Sequence, residues 1–547
     1  MRARLSLLTT HYSLLTLLLW QLVSVYLMAT GVWPASVAWL SLGLIVAYIL
    51  LSPAFSGLLL AVASIPFYIV LPQPYSDTLS MWRPVVAILF LRAFAECAWH
   101  FRASLKVPRT VSVSAVKGFM VTLWNKLLVY ERLAIVLFGL AVLSLSVARY
   151  PVRGASQLLF VLNTFLVYAV VVWAVKSRTQ FIKLLTYGAV STGAIVALGY
   201  VQFVATLFST TYYFWQYWAI RVASLYYGVS LARVLQYSNS WVTVQGEEKT
   251  LRMFSVMTSS HAFAMVCVLF LAFALPLLFA RVKGFGPVTE VGRSFARAVW
   301  VAVVFACLAL IISGTRGVWA GMVPALLLVG FLYYWTRLKH YVVPVFAALL
   351  LVVILFEASP LLDRAFVWIR KSGSGGTLDR VASIIDPAET SNAGRLEMWK
   401  AASVYALKHP LGVGYGNFVV TLSKNQDISF EEVASQENSM YNLPQRYITA
   451  HSLYLQLLVE LSVVGLILFG LMWLGFFQRA WKYVASRQVT AETVFITTIF
   501  IVWIWFLAYS VFDVTWLNDK ILLYTFVLMG AARYVMGANP SGLDVGK

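Results

Sequence analysis

The chain has 547 residues, of which 61% are hydrophobic and only 11% charged. Soluble domains carry about 25% charged residues, so this composition excludes an ordinary soluble globular protein. The formal net charge of +20 would suit a nucleic-acid binder, but the basic residues lie in the connections between apolar runs. The positive-inside rule accounts for them there, and nucleic acid is set aside as a partner.

Apolar runs of 18 or more residues can cross a hydrocarbon core of about 30 Å, and they are continuous rather than alternating, which excludes a β-barrel. The chain opens on Met1-Arg2-Ala3-Arg4 and an apolar run to about Val32. That run is too long for a signal peptide and ends in no small-residue cleavage site, so it reads as a retained first helix. Further spans are expected near 34–52, 55–73, 82–100, 131–149, 156–175 and 181–208. Arg92 and Glu96, spaced i,i+4, are expected to satisfy each other. An excursion from about Ser209 to Ser255 is dense in aromatics, among them Tyr212, Tyr213, Trp215, Tyr217, Trp218, Tyr226 and Tyr227. It reads either as an interfacial anchor or as a platform for sugar rings or a lipid entry. Spans near 258–280, 297–314, 318–336 and 341–358 follow, and after a long polar stretch come 451–476, 491–512 and 519–537. Cys97, Cys267 and Cys307 fall inside apolar runs, with neither metal-ligand nor disulfide spacing.

The fold expected is therefore an all-α, polytopic membrane protein of about 12–14 transmembrane helices with one large helical loop on its outer face. Residues 1–358 form the first part of the membrane domain, 359–450 the loop, and 451–547 the last helices. Lys and Arg concentrate in alternate connections, as at Lys176, Arg178 and Lys183 and again at Arg479, Lys482 and Arg487. This bias predicts a cytoplasmic N-terminus and places the 359–450 loop outside.

Chemistry is expected where that loop meets the bilayer. Ser372 to Gly376 reads as a flexible joint. A surface helix is predicted from Arg395 to His409, with Leu396, Trp399, Val404 and Leu407 on its packed face and Pro410 ending it. The glycines of Gly412-Val413-Gly414-Tyr415-Gly416-Asn417 have no βαβ context for a dinucleotide; they form either a turn against the bilayer or a backbone nest for a phosphate. Arg316 sits in the very short connection Ser313-Gly314-Thr315-Arg316-Gly317, Arg395 opens the loop helix, and His451 begins the next span. Two guanidiniums can clamp a diphosphate through paired charge-assisted hydrogen bonds, and a histidine can take a proton near neutral pH. Glu460, roughly 13 Å deeper at 1.5 Å per residue, must be paired or line a polar cavity. Asp513 and Asp519 flank the last outer turn, within reach of substrate or a loop cation.

Four motifs occur in order: Ser313-Gly314-Thr315-Arg316-Gly317, Gly394-Arg395-Leu396-Glu397-Met398-Trp399, His409 to Phe418, and Ala450-His451-Ser452-Leu453-Tyr454-Leu455-Gln456 with Glu460. Together, over about residues 297–476, they resemble the O-antigen ligase and Wzy-type polymerase superfamily of bacterial envelopes. One departure is Glu460-Leu461-Ser462-Val463-Val464-Gly465, where the family usually has a small residue or glycine directly after the glutamate. The resemblance implies a GT-C-like, metal-independent inverting glycosyltransferase without cofactors in the bacterial inner membrane, its active site facing the periplasm. Its donor would be a glycan on polyprenyl (undecaprenyl) diphosphate. Its acceptor would be the sugar of lipid A–core in a ligase, or another lipid-linked repeat unit in a polymerase. A protein acceptor, or a lipid-linked oligosaccharide flippase, stands further off. By matched motif position Arg316 and Arg395 correspond to the diphosphate-contacting arginines and His451 to the essential histidine. Thr315, Gly414, Tyr415, Asn417, Tyr454, Gln456 and Glu460 are expected to line the diphosphate and glycan site.

Overall fold

The computed structural model describes residues 2–73, 79–104, 124–229, 232, 241–245, 248–280, 290–335, 390–418, 449–485 and 489–537. Apolar sequence becomes helix almost throughout, since only helices satisfy every backbone polar group within one lipid-facing segment. The first group is α1 (Arg2–Ala29), α2 (Val37–Leu51), α3 (Ala54–Ala63) and α4 (Trp82–Ser104). The helix expected over 55–73 stops at Ala63, because Pro66 cannot continue it. A single 3₁₀ turn, Ile65–Phe67, and an isolated bridge between Val70 and Ser80 replace the rest. Glu96 pairs with Arg92 at 3.0 Å, as expected, and the same carboxylate oxygen accepts the Ala54 N–H at 3.0 Å, so the pair also caps α3.

Next come α5 (Val129–Leu143), α6 (Pro151–Ala174) and α7 (Arg178–Ala205). Pro151 opens α6 with its ring already at helical φ. Ser177 caps α7: its hydroxyl accepts the Gln180 N–H, and the Gln180 carbonyl reaches back to the Ser177 N–H. The described residues of the aromatic excursion include α8 (Thr211–Tyr217), a π-helical segment Trp218–Val222, α9 (Ala223–Tyr227), and an antiparallel pair of β1 (Val242–Gln245) with β2 (Glu248–Leu251), in which Val242 pairs with Leu251. Tyr213, Gln216, Tyr217 and Arg221 line a cavity of about 320 Å³. The buried Lys520 ammonium lies 5.1 and 5.2 Å from the Tyr226 and Tyr227 ring centres, a cation–π cage that ties the excursion to the bundle.

At the centre lies α10 (Ser260–Ala274), packed on α7 and on α11 (Glu290–Ile312), α15 (Ala491–Tyr509) and α16 (Asp519–Gly537). Between α11 and α15 the chain forms α12 (Arg316–Trp335), α13 (Thr390–Lys408) and α14 (Leu453–Ala485). The α10 span is 89% buried, and of its fifteen helical residues His261 alone is not buried. Among the described residues nine helices are long and apolar enough to cross a membrane, and three shorter apolar helices accompany them. The protein is a polytopic helical membrane protein. The span expected at 341–358 and the joint at Ser372 to Gly376 lie outside the described residues.

The loop helix α13 departs from expectation twice. It starts at Thr390, so Arg395 lies in its second turn rather than at its head. Its packed face is Met398, Ala402, Tyr405 and Ala406, which meets Val413, Phe418, Ala450 and Val459, while Leu396, Val404 and Leu407 are exposed. The spacing 398–402–405 follows the 3.6-residue period, and the small Ala402 lets α13 approach α14 closely.

Candidate functional site at the His451 end

His451 stands just before α14, with its backbone in the left-handed region at φ 46°. Its N–H donates to the Thr449 hydroxyl at 3.2 Å, and its carbonyl accepts the Trp399 indole N–H at 3.3 Å. Trp399 also lies against Phe512, with ring centres 6.3 Å apart. The loop helix thus rests on both His451 and the turn that follows α15. The first residues of α14 lock onto the same end of α15: the Leu453 N–H donates to the Ser510 carbonyl at 2.9 Å, and the Tyr454 hydroxyl to the Leu507 carbonyl at 2.7 Å.

The Arg395 guanidinium is within electrostatic range of both His451 and Tyr509. Arg316 opens α12 after a turn in which Ser313 and Thr315 are buried and Gly314 takes φ 63°. The Thr315 hydroxyl is held by Ser313, whose own hydroxyl donates to it at 3.2 Å. Next to Arg316, Gly317 packs flat on Tyr509: a Cβ there would lie 2.9 Å from the ring. The Arg316 hairpin thus packs on Tyr509, and Arg395 lies within electrostatic range of the same ring.

Around Tyr509 lies a cluster that sequence reasoning did not assemble. Its hydroxyl donates to Asp513 Oδ2 at 2.8 Å, and His261 Nδ1 is 2.8 Å from the same oxygen and 2.9 Å from the Tyr509 hydroxyl. The Val514 N–H donates to the other carboxylate oxygen at 2.7 Å. Burial alone would push the Asp513 carboxyl up. The hydrogen bond and charge of His261, the charge of His451 and the Tyr509 hydroxyl together outweigh that and hold it well below the usual carboxylate range. The His451 imidazole is lowered from its ordinary value, chiefly by burial; Asp513 pulls it up, and Arg395 and His261 push it down. That direction favours the neutral imidazole, which can accept a proton. His261 was missed because it is a lone histidine two residues after a helix cap, Ser259, at the head of an unbroken apolar run. Its partner lies 252 residues away in sequence. Among the described residues no three His, Cys, Asp or Glu side chains are grouped to hold a metal ion.

The remaining motif residues form a second, tightly bonded assembly. Inside α14, Ser462 takes φ 65° and ψ −178°, which breaks the helix and frees the carbonyls of the turn before it. The glycine segment docks there. The Val413 N–H donates to the Val459 carbonyl at 2.9 Å and the Gly414 N–H to the Glu460 carbonyl at 3.1 Å. The Gly416 and Phe418 N–H groups bond the Glu460 carboxylate, which also accepts from Gln456 at 3.4 Å. The Gly412, Tyr415 and Asn417 N–H groups go to His409, Ser144 and Gly414. Every N–H from Gly412 to Phe418 is thus taken up by the fold, which favours the turn reading of these glycines over a phosphate nest. The buried Asn417 accepts the Tyr150 N–H at 2.9 Å. Of the residues expected to meet substrate, Arg395 lies within electrostatic range of His451 and Tyr509, and Arg316 directly precedes Gly317, which packs on Tyr509. Gly414, Tyr415, Asn417, Gln456 and Glu460 form the brace that holds the loop on α14.

Residues 301–470 match the family model described as O-antigen ligase. That stretch contains Arg316, Arg395, His451 and Glu460, and agrees with the superfamily that the four motifs resemble. His261 and Asp513 fall outside it. No curated protein matches the chain.

Proposed function

We propose that this membrane protein, which carries an O-antigen ligase domain over residues 301–470, transfers a glycan from a polyprenyl diphosphate to an acceptor sugar hydroxyl. The observation that supports the reading is that Arg395 lies within electrostatic range of His451 and Tyr509 while Gly317, the residue after Arg316, packs on the same Tyr509; Arg316, Arg395 and His451 all fall inside the matched segment. The acceptor hydroxyl attacks the anomeric carbon, and the bond from that carbon to the diphosphate oxygen breaks. Arg316 and Arg395 meet the charge that develops on the leaving diphosphate. Fixed cationic donors in a site of low dielectric stabilise such charge far more than they would in water. His451 acts on the attacking hydroxyl as a base or as an orienting group. A single displacement inverts the anomeric configuration. The positive-inside bias supports an outer-face position for this end of the bundle, which is the periplasmic face if the membrane is a bacterial inner membrane.

Purified protein in nanodiscs, supplied with an undecaprenyl-diphosphate-linked repeat unit and lipid A–core, tests the reading. Arg316→Ala, Arg395→Ala and His451→Ala should each lower transfer at least a hundredfold while the protein stays folded. Intact transfer in His451→Ala and Arg316→Ala would sink it. Lipid A–core is the acceptor we favour. Envelope gels from a deletion strain distinguish it from polymerisation: loss of every cap marks a ligase, while caps of one repeat mark a polymerase.

A further inference from the structure

We propose that His261, oriented by Asp513, is a second catalytic residue of this site and takes the proton of the attacking acceptor hydroxyl on its Nε2. The inference rests on the transferase reading above and deepens it. A carboxylate only accepts hydrogen bonds, so the 2.8 Å contact between His261 Nδ1 and Asp513 Oδ2 requires the proton on Nδ1. The Tyr509 hydroxyl spends its own proton on the same oxygen, at 2.8 Å, and so leaves Nδ1 as the donor. In a neutral imidazole that tautomer puts the lone pair on Nε2. Among the described residues Nε2 has no hydrogen-bond partner.

Three further observations single this histidine out. It is the one residue of the central α10 that is not buried, so the most enclosed of the described spans exposes a polar side chain only here. Its partner is doubly fixed, by Tyr509 and by the Val514 N–H at 2.7 Å. His451, by contrast, has no carboxylate bonded to its ring among the described residues, so the orienting arrangement of acid, histidine and attacking hydroxyl is complete only at His261. The step balances. The acceptor oxygen bonds to the anomeric carbon as the bond to the diphosphate oxygen breaks and its electron pair leaves with the diphosphate. The hydroxyl proton passes to Nε2, the resulting imidazolium is held against the Asp513 carboxylate, and the proton then goes to solvent before the next turnover. His451 in this scheme orients the acceptor.

The test uses the full chain in nanodiscs with the undecaprenyl-diphosphate-linked repeat unit and lipid A–core. In His261→Asn the amide nitrogen replaces Nδ1 and keeps the bond to Asp513, but nothing replaces the Nε2 lone pair. Transfer should fall by about 10²–10⁴-fold, the range of general acid–base contributions, with thermal stability and donor binding unchanged. In His261→Ala, added imidazole should restore transfer at least tenfold, an effect that a merely structural histidine does not show. Transfer by His261→Asn within threefold of the unmodified protein overturns the inference, and so does a loss in His261→Ala that imidazole leaves untouched. If the unmodified protein transfers nothing from this donor, the transferase reading itself fails. If it does transfer and His261→Asn transfers equally well, only the role of His261 fails.

Discussion

His451 holds a left-handed backbone that costs a non-glycine residue about 1–2 kcal/mol. Thr449 and Trp399 fix it there from both sides, and such strain is characteristic of functional positions. Its imidazole is lowered by burial, with Arg395 and His261 adding to the effect and Asp513 opposing it. An imidazole with a lowered pKa keeps its lone pair further into the acid range and protonates only in more acid solution. The kcat/KM for transfer should therefore hold on the neutral side and fall below the ordinary imidazole range near 6.5. Arg395→Gln removes a cation that pushes the imidazole down, so the acid limb of its residual rate should move up toward that range. A limb that stays put or moves down would show that Arg395 does not act on His451. At this scale Arg316, Arg395 and His451 stand out as candidates in the sequence because each stands in a short polar motif beside apolar sequence. His261 does not, since a single histidine in an apolar run carries no signal until folding brings Asp513 to it.

The broken α14 is the element on which the loop depends. Seven consecutive N–H groups from Gly412 to Phe418 find acceptors, four of them on Val459 and Glu460, two of these being backbone carbonyls that the break at Ser462 leaves available. Two substitutions probe the joint from opposite sides. Ser462 has φ 65° and ψ −178°, a region almost confined to glycine and costing other residues about 1–3 kcal/mol. Ser462→Gly relieves that strain, loses the hydroxyl bond to the Val464 N–H and adds chain entropy to the unfolded state. It should raise stability by about 1 kcal/mol, read as a higher Tm in detergent. Gly412 has φ 82°, and a Cβ there would lie 2.5 Å from the Glu460 carbonyl oxygen. Gly412→Ala should lower the Tm by more than Ser462→Gly raises it, and should speed proteolysis at the loop. Equal Tm values for both variants would mean that the loop does not dock here. The sequence announced a turn at these glycines. It did not show what the turn grips, because the gripping carbonyls belong to a helix that reads as continuous. The face of α13 was misjudged for a related reason: Leu396, Val404 and Leu407 are more apolar than Ala402, yet close approach to α14 selects the small residue.

Across the whole molecule the spans were legible from run length, but the centre of the bundle was not. Lipid tails are as apolar as a protein core, so composition does not separate a helix that faces lipid from one that faces protein. The span at 260–279 is 89% buried and that at 129–147 only 22%, though both read simply as apolar. The polar braces reveal the division of labour. The proposed site lies at the His451 end, while the opposite end is held by Glu131. This carboxylate accepts from the Tyr168 hydroxyl and from Arg533 Nε at 3.1 Å, and so joins the start of α5 to the end of α16. A second pair, Arg178 with Glu492 at 2.6 Å, joins α7 to α15 at that same end. Breaking a buried pair strands its partner and costs about 3–5 kcal/mol, and the partial exposure of Arg533 puts this one at the lower bound. Glu131→Ala should therefore lower the Tm sharply, yet leave kcat per folded molecule within about twofold, because the reacting groups lie at the far end of the same helices. His451→Ala should do the reverse, abolishing transfer with little change in Tm. A loss of kcat in folded Glu131→Ala protein would show that the two ends are coupled and that the brace sets the geometry of the site as well as the stability of the bundle.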